Sequence, residues 1–281
     1  MPTEIRYSRG TTQYPEDLPI FFPAGSKGGF FGVADGVSGL WFGQPPLFNG
    51  KTGGQIVSSA LVSACATERS AERAISVANQ RMRANARKTG LSLLRSETLP
   101  AGAFTLADIK DQTLWQAGDS LAVWETWRGT ISFTETPMLK YTRWVLALRD
   151  ELVEKYGDRE RAMREFFGET LVHARRQCVN THDTLGYAVL NGQPKFLQLV
   201  RQYLLPAPEN LRRILLFTDG LVTTEDTARP DFGEWILDLY DHGGFEAILA
   251  GTRDEENRVA SKSHELHAEA TLVVWEPDAS R

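Results

Sequence analysis

The chain predicts an α+β fold in which antiparallel strands are layered against helices, and three observations lead there. Strand-like runs come in two groups, joined by junctions too short for crossover helices. Blocks with helical apolar spacing lie between and after them. No internal repeat or low-complexity linker divides the 281 residues, which are expected to form a single domain.

The elements follow in order. FFGVADGVSG (30–39) starts as a buried strand and stops at Asp35-Gly36. From Gln55 to Ala64, the side chains of Val57, Ala60, Leu61 and Ala64 share one helical face. From Ser70, an N-cap candidate, Ala71, Ala74, Ile75, Ala78 and Met82 repeat that pattern. GAFTLADI, QTLWQAGD, SLAVWETW and GTISFTE then follow closely, as the strands of an antiparallel meander do. Tyr141 to Val179 is the longest helical block: Val145, Leu148, Leu152 and Tyr156 form one stripe, and Gly157-Asp158 breaks and recaps it. Met163, Phe166, Phe167, Leu171, Ala174 and Cys178 form the next stripe. TLGYAVLNG, LQLVRQYLL, RRILLFTDG and ATLVVWE read as further strands, and two helices are expected beyond Asp231.

Composition narrows the function. With 42% hydrophobic and 24% charged residues the chain can bury a real core. A net charge of -5 offers no field to recruit nucleic acid or an anionic membrane, so neither is expected as a partner. The basic run RMRANARK (81–88) reads as a solvated helix face. No apolar run reaches membrane-spanning length, and MPTEIRYSRG lacks a signal-peptide core. Cys65 and Cys178 form no CxxC and sit in helix-like patterns, as reduced core thiols do. A cytoplasmic location is expected.

The chemistry lies in carboxylates at strand ends. Asp35-Gly36 and Asp219-Gly220 each end an apolar strand, and Asp119 in QAGDSLAVW stands between two more. An isolated Asp-Gly marks a turn. An Asp at the end of a buried strand is held rigidly, however, and a following glycine admits close approach of a ligand. Hard cations such as Mg²⁺ and Mn²⁺ take oxygen ligands of this kind.

In sequence order these residues resemble the motifs of the metal-dependent PPM-type Ser/Thr phosphatases, the protein phosphatase 2C family. PED (15–17) matches an early acidic pair, FGVADGVSG a DGxxG motif, and AGDSLAVW a GDSRA strand pair. ILLFTDGLV is similar to the late SDG strand, and AEATLVVWE to the closing strand. The resemblance implies two antiparallel β-sheets in a sandwich flanked by helices, in αββα layers, over residues 1–281 with a helical insertion at about 139–181. It implies two Mn²⁺ or Mg²⁺ ions, with Asp35 bridging them, the Gly36 carbonyl as a ligand and Asp219 on the second ion. Glu16 and Asp17 would act through waters, and Asp119 would belong to an optional third site. Asp35 and Asp219 are then the catalytic residues. A water activated by two cations would hydrolyse phosphoserine or phosphothreonine in a phosphoprotein, itself the target or partner of a Ser/Thr kinase.

Several positions depart from the motifs. The closing metal-binding Asp falls at Ala268, and Glu269, one residue later, is expected to take over its duty against strand alternation. His264 and His267 lie nearby. Thr223 stands where the third-ion site needs an Asp, Val37 where some members have a general acid, and Thr12 where some have a phosphate-binding Arg. Arg9, or Arg6, is the expected substitute. These gaps motivate the alternative of a pseudo-phosphatase that binds a phosphoprotein or kinase without turnover.

Overall fold

A computed structural model describes residues 3–23, 29–38, 47–260 and 267–277. Its ten strands make two five-stranded sheets, every pairing antiparallel. The first sheet orders β1 (Thr3–Ser8), β10 (Ala270–Trp275), β9 (Leu211–Phe217), β6 (Leu121–Thr126) and β7 (Ile131–Phe133). The second orders β2 (Leu18–Phe22), β3 (Phe30–Val37), β4 (Ala101–Asp108), β5 (Thr113–Ala117) and β8 (Arg201–Leu204).

The layers follow from which faces are apolar. Phe31, Val33 and Leu114 from the second sheet meet Leu216, Val273 and Trp275 from the first and seal the sandwich. On the outer face of the second sheet, Phe104 and Leu106 pack under α1 (Gly53–Cys65) and α2 (Ala71–Lys88). The first sheet is covered by α6 (Phe232–Ala260) through Phe232, Ile236 and Ile248. The result is the αββα sandwich the motifs implied. Gly244, at φ 64°, ψ -151°, kinks α6 and divides it into the two helical stretches expected beyond Asp231.

The long helical block is α3 (Leu139–Tyr156), α4 (Arg159–Glu165) and α5 (Leu171–Cys178), with a π-helical turn over Phe166–Thr170. Gly157 closes α3 in the left-handed region, and the Asp158 carboxylate caps α4 by accepting from the Glu160 and Arg161 N–H groups. Ser70 caps α2 through the Arg73 N–H. Cys65 and Cys178 are buried and free.

Three strand expectations need correction. The meander is not continuous: β4 and β5 form a hairpin in the second sheet, β6 and β7 one in the first, and the chain changes sheets at residues 118–120. TLGYAVLNG is not a strand; it makes two isolated bridges, Val179 with Tyr187 and Gly102 with Leu190. The Asn180 side chain takes the ladder's place, donating to the Val189 carbonyl (3.1 Å) and accepting from the Val189 N–H (2.9 Å). In LQLVRQYLL, a 3₁₀ turn over Pro194–Gln198 occupies the start, leaving a four-residue strand. Two strands were missed, β1 and β2, of which β1 is mixed in polarity and β2 carries a proline; both lie at sheet edges.

Candidate metal centre

Asp35 is the sixth residue of β3 and pairs with Ala103 of β4. Asp219 follows the end of β9 by two residues, in a 3₁₀ turn over Asp219–Leu221. Asp119 lies in the tight passage by which the chain leaves one sheet for the other. The sandwich stacks these three strand ends, and one carboxylate oxygen from each of Asp35, Asp119 and Asp219 lies within 4.8 Å of the others. The sheet change that breaks the meander is thus what carries Asp119 to the other two.

Two glycines make the approach possible. Gly118 has φ +73°, and a Cβ there would come within 2.3 Å of the Ala103 Cβ, the partner of Asp35 across the ladder. At Gly36 a Cβ would meet the Gly54 carbonyl oxygen at 2.4 Å and the Ser58 hydroxyl at 2.7 Å, so the start of α1 abuts the centre.

The acidic pair is held from several sides. The Glu16 carboxylate accepts from the hydroxyls of Ser38 and Thr52, the latter being the N-cap of α1. Ser58 donates to the Glu16 carbonyl at 2.6 Å. Asp17 is buried, and one of its oxygens accepts from the hydroxyls of Thr218 (2.7 Å) and Thr271 (3.1 Å). Glu269 accepts the Glu16 N–H at 2.6 Å and the Asp17 N–H at 3.3 Å on one oxygen, and the Tyr7 hydroxyl at 2.6 Å on the other. Its carboxylate therefore grips the backbone of the pair and lies outside the three-carboxylate cluster. Sequence reasoning counted TDG and ATLVV as strand motifs and missed Thr218, Thr271 and Tyr7; a threonine beside each motif was the available signal.

Electrostatically the site is overloaded with negative charge. Removal from water raises the Asp35 carboxyl well above the usual range, and repulsion from Asp17, Asp219 and Asp119 adds to it. Asp119 rises by burial and then by the Asp219 charge, and Asp17 by burial and then by Glu269. Asp219 is raised by burial of its carboxyl and by repulsion from Asp17. Converging oxygens whose ionisation is mutually opposed suit divalent cations, which need such hard anionic donors and relieve that repulsion. The donor set present fits Mn²⁺ or Mg²⁺.

The remaining candidates make other contacts, although Ala268 abuts Gly220 beside Asp219. Arg9 donates to the carbonyls of Thr12 (3.0 Å) and Gln13 (2.9 Å), and Arg6 to Glu4. The Ala268 N–H donates to Glu256 at 2.9 Å and its carbonyl accepts from Arg253 at 2.8 Å. His267 contacts Glu256 at 2.9 Å, and His264 lies outside the described residues. Thr223 is occupied by Asp226, and Val37 is exposed. Beside Ala117, two residues before Asp119, opens a cavity of about 210 Å³ lined in part by Tyr187, His182 and Arg201.

Comparison with solved structures bears on this geometry. The chain is similar to a bacterial serine phosphatase (TM-score 0.54, 15% identity, 100% of this chain and 99% of the other). It is also similar to the Staphylococcus aureus serine/threonine phosphatase Stp1 (0.53, 14%, 99% and 95%). PppA, a regulatory component of type VI secretion in Pseudomonas aeruginosa, matches at 0.51 with 16% identity over 98% and 97%. The fold is that of the PPM-type phosphatases. The PPM sandwich accounts for the two sheets and their helical layers. No protein-family model matches the chain, and no curated protein matches it by sequence. Among the described residues, no helix is long and apolar enough to cross a membrane.

Proposed function

We propose that the chain is a metal-dependent phosphatase acting on phosphoserine and phosphothreonine in proteins, with Mn²⁺ or Mg²⁺ as its two ions. The observation that carries this reading is the convergence of Asp35, Asp119 and Asp219 from both sheets of a PPM sandwich to within 4.8 Å. Asp35, the Gly36 carbonyl and Asp219 would hold the ions. When bound, two divalent cations neutralise phosphoryl charge and lower the pKa of water, which is what in-line hydrolysis needs.

This chain's residues do the positioning. β3 and β9 fix Asp35 and Asp219 on rigid strand ends. Thr218 and Thr271 occupy one oxygen of Asp17 and so set the direction of the other. Glu269 and Tyr7 keep the Glu16–Asp17 backbone at the rim. The absence of a reactive thiol agrees with a route through water: burial pushes the Cys65 and Cys178 thiols up, away from thiolate chemistry.

A second reading, a PPM-fold pseudo-phosphatase that binds a phosphoprotein or kinase, is favoured by one observation. Ala268 offers no side-chain oxygen, and Glu269 beside it has both carboxylate oxygens engaged elsewhere. Hydrolysis of an aryl phosphate with added Mn²⁺ separates the two. Turnover that chelator removes, Mn²⁺ restores and Asp35→Asn abolishes supports the enzyme. Full activity in excess chelator, or no turnover in a protein that binds Mn²⁺, overturns it.

A further inference from the structure

Asp219 stands on a turn outside the strand ladders, and α6 holds that turn. Asp219, Gly220 and Leu221 form the 3₁₀ turn that follows β9. Its entry is tied to β10, where the Thr218 N–H donates to the Thr271 carbonyl at 3.1 Å. Its exit is tied to α6: the Thr252 hydroxyl donates to the Leu221 carbonyl at 2.9 Å, and both residues are buried. A carbonyl shut away from water needs such a donor. The Leu221 side chain shares a core with Ile248 and Leu249, one helical turn before Thr252.

The same helix grips the wall on which the turn lies. A Cβ on Gly220 would come within 1.6 Å of the Glu269 carbonyl oxygen and 3.4 Å of the Ala268 Cβ, so the turn rests directly on the Ala268–Glu269 backbone. From α6, Glu256 accepts the Ala268 N–H at 2.9 Å and Arg253 donates to the Ala268 carbonyl at 2.8 Å. Arg253 and Glu256 meet each other at 2.5 Å, both mostly buried, and Arg253 also reaches the Ser8 hydroxyl of β1 at 3.3 Å. Glu256 follows Arg253 by three residues and Thr252 by four, which puts all three on one side of the helix. That side of α6 therefore fixes the Asp219 turn at its exit and along its flank.

We propose that Thr252, Arg253 and Glu256 are positioning residues for the ion at Asp219, because α6 holds both the turn that carries this carboxylate and the backbone beneath it. The proposal rests on the reading of Asp35, Asp119 and Asp219 as a metal centre. Asp35 lies within β3 and pairs across the ladder with Ala103, whereas Asp219 lies beyond its strand and has no ladder to hold it. Ala268, against the same turn, offers no side-chain oxygen, so the ion there draws the more on where Asp219 points. Outer groups that orient a ligand set metal affinity without touching the metal. Loosening α6 at these three residues weakens the ion at Asp219 and leaves the ion held by Asp35.

The test is Mn²⁺ titration by calorimetry without substrate, with thermal midpoints alongside, on the parent, Thr252→Val, Thr252→Ser, Arg253→Met and Arg213→Ala. The parent should bind two ions. Thr252→Val keeps the shape and removes the hydroxyl; it should weaken one of the two steps about tenfold and leave the other within about twofold. Thr252→Ser restores the donor and should return that step to the parent's. Arg253→Met keeps the apolar stem, loses the bond to Ala268 and should weaken the same step; it carries the comparison where Thr252→Val does not fold. Arg213→Ala, whose partners are Glu125 and Asp241, should lower the midpoint with both steps unchanged, which separates lost stability from lost positioning. Aryl phosphate hydrolysis by Thr252→Val should fall about tenfold at limiting Mn²⁺ and recover in excess Mn²⁺, with KM little changed. Unchanged Mn²⁺ binding in folded Thr252→Val and Arg253→Met, or an equal weakening in Arg213→Ala, overturns the proposal. Two bound ions without hydrolysis would sink the phosphatase reading while the isotherms still judge α6. A parent that binds no Mn²⁺ sinks both.

Discussion

Glu269 joins three chain segments that are distant in sequence, since it binds Tyr7 of β1 and the backbone of Glu16 and Asp17 from the start of β10. Its negative charge strengthens those bonds and at the same time repels Asp17. Glu269→Gln keeps the shape and removes the charge, so two effects compete. The weakened grip on two N–H groups is expected to cost about 1–3 kcal/mol of stability. Mn²⁺ affinity is expected to fall only a few-fold, because the positions of Asp35 and Asp219 do not depend on Glu269. Denaturant unfolding beside Mn²⁺ titration checks this, and a collapse of Mn²⁺ affinity at unchanged stability would show Glu269 acting directly on a metal. Gly118 supplies a sharper residue-scale test. Gly118→Ala meets a positive φ and a wall at Ala103, so the turn must shift, at a cost of at least about 1 kcal/mol, and Asp119 shifts with it. Mn²⁺ affinity should fall together with the unfolding midpoint; an unmoved midpoint and unmoved affinity would mean that the passage tolerates a side chain.

Among the elements, β6, β9 and α6 are clamped by an ion network whose Arg213 and Glu125 are buried and whose Arg212 and Asp241 are half exposed. Arg213, 4% exposed, donates to Glu125 at 2.8 Å and twice to Asp241 of α6, once at 2.7 Å, while Arg212 donates to the other Glu125 oxygen at 2.8 Å. Without Arg213, Glu125 keeps its pairing to Arg212 and the half-exposed Asp241 is solvated, so the cost is about 1–3 kcal/mol. Arg213→Ala is therefore expected to lower stability by roughly that amount. Activity per folded molecule should stay within a few-fold, since none of these groups belongs to the carboxylate cluster. Urea unfolding with kinetics below the transition tests it, and a loss under about 1 kcal/mol would mean that water replaces the lost partner. Element existence was well legible in the sequence. Helical stripes, the Ser70 cap and the Gly157 break report local energetics, and α1 to α6 follow them. Strand allotment was not legible, because a short junction reads alike whether it closes a hairpin or crosses between sheets. TLGYAVLNG failed as a strand because Asn180, outside the run, takes its backbone bonds.

On the scale of the whole molecule, the fold gathers Asp17, Asp35, Asp119 and Asp219 into one place, and pH reports the cost of doing so. Each has a carboxyl raised above its ordinary value, Asp17 to about 7. Between the ordinary value and the raised one, the folded chain keeps protons that the unfolded chain has released. The stability they confer is complete below the unfolded pKa and is lost as pH rises through the folded pKa. In excess chelator the thermal midpoint should accordingly fall by several degrees from pH 5 to pH 8, where about 1 kcal/mol moves it by roughly 2–4 °C. Mn²⁺ should raise the midpoint more at pH 8 than at pH 5, as it binds the ionised carboxylates. A chelated protein whose midpoint is flat across that range would contradict the crowding of these groups. What the sequence determined by itself was local: apolar runs ending on Asp-Gly, helical stripes with their caps, and the residue types that hard cations require. Those signals depend on neighbours a few positions apart, which is where propensity and periodicity act. Tertiary structure alone decided that Asp119 meets Asp35 and Asp219 through a change of sheet, and that Glu269 turns to Tyr7 and the acidic pair. Each of these depends on groups from different elements, placed by the packing of two sheets and not by the order of residues along either one.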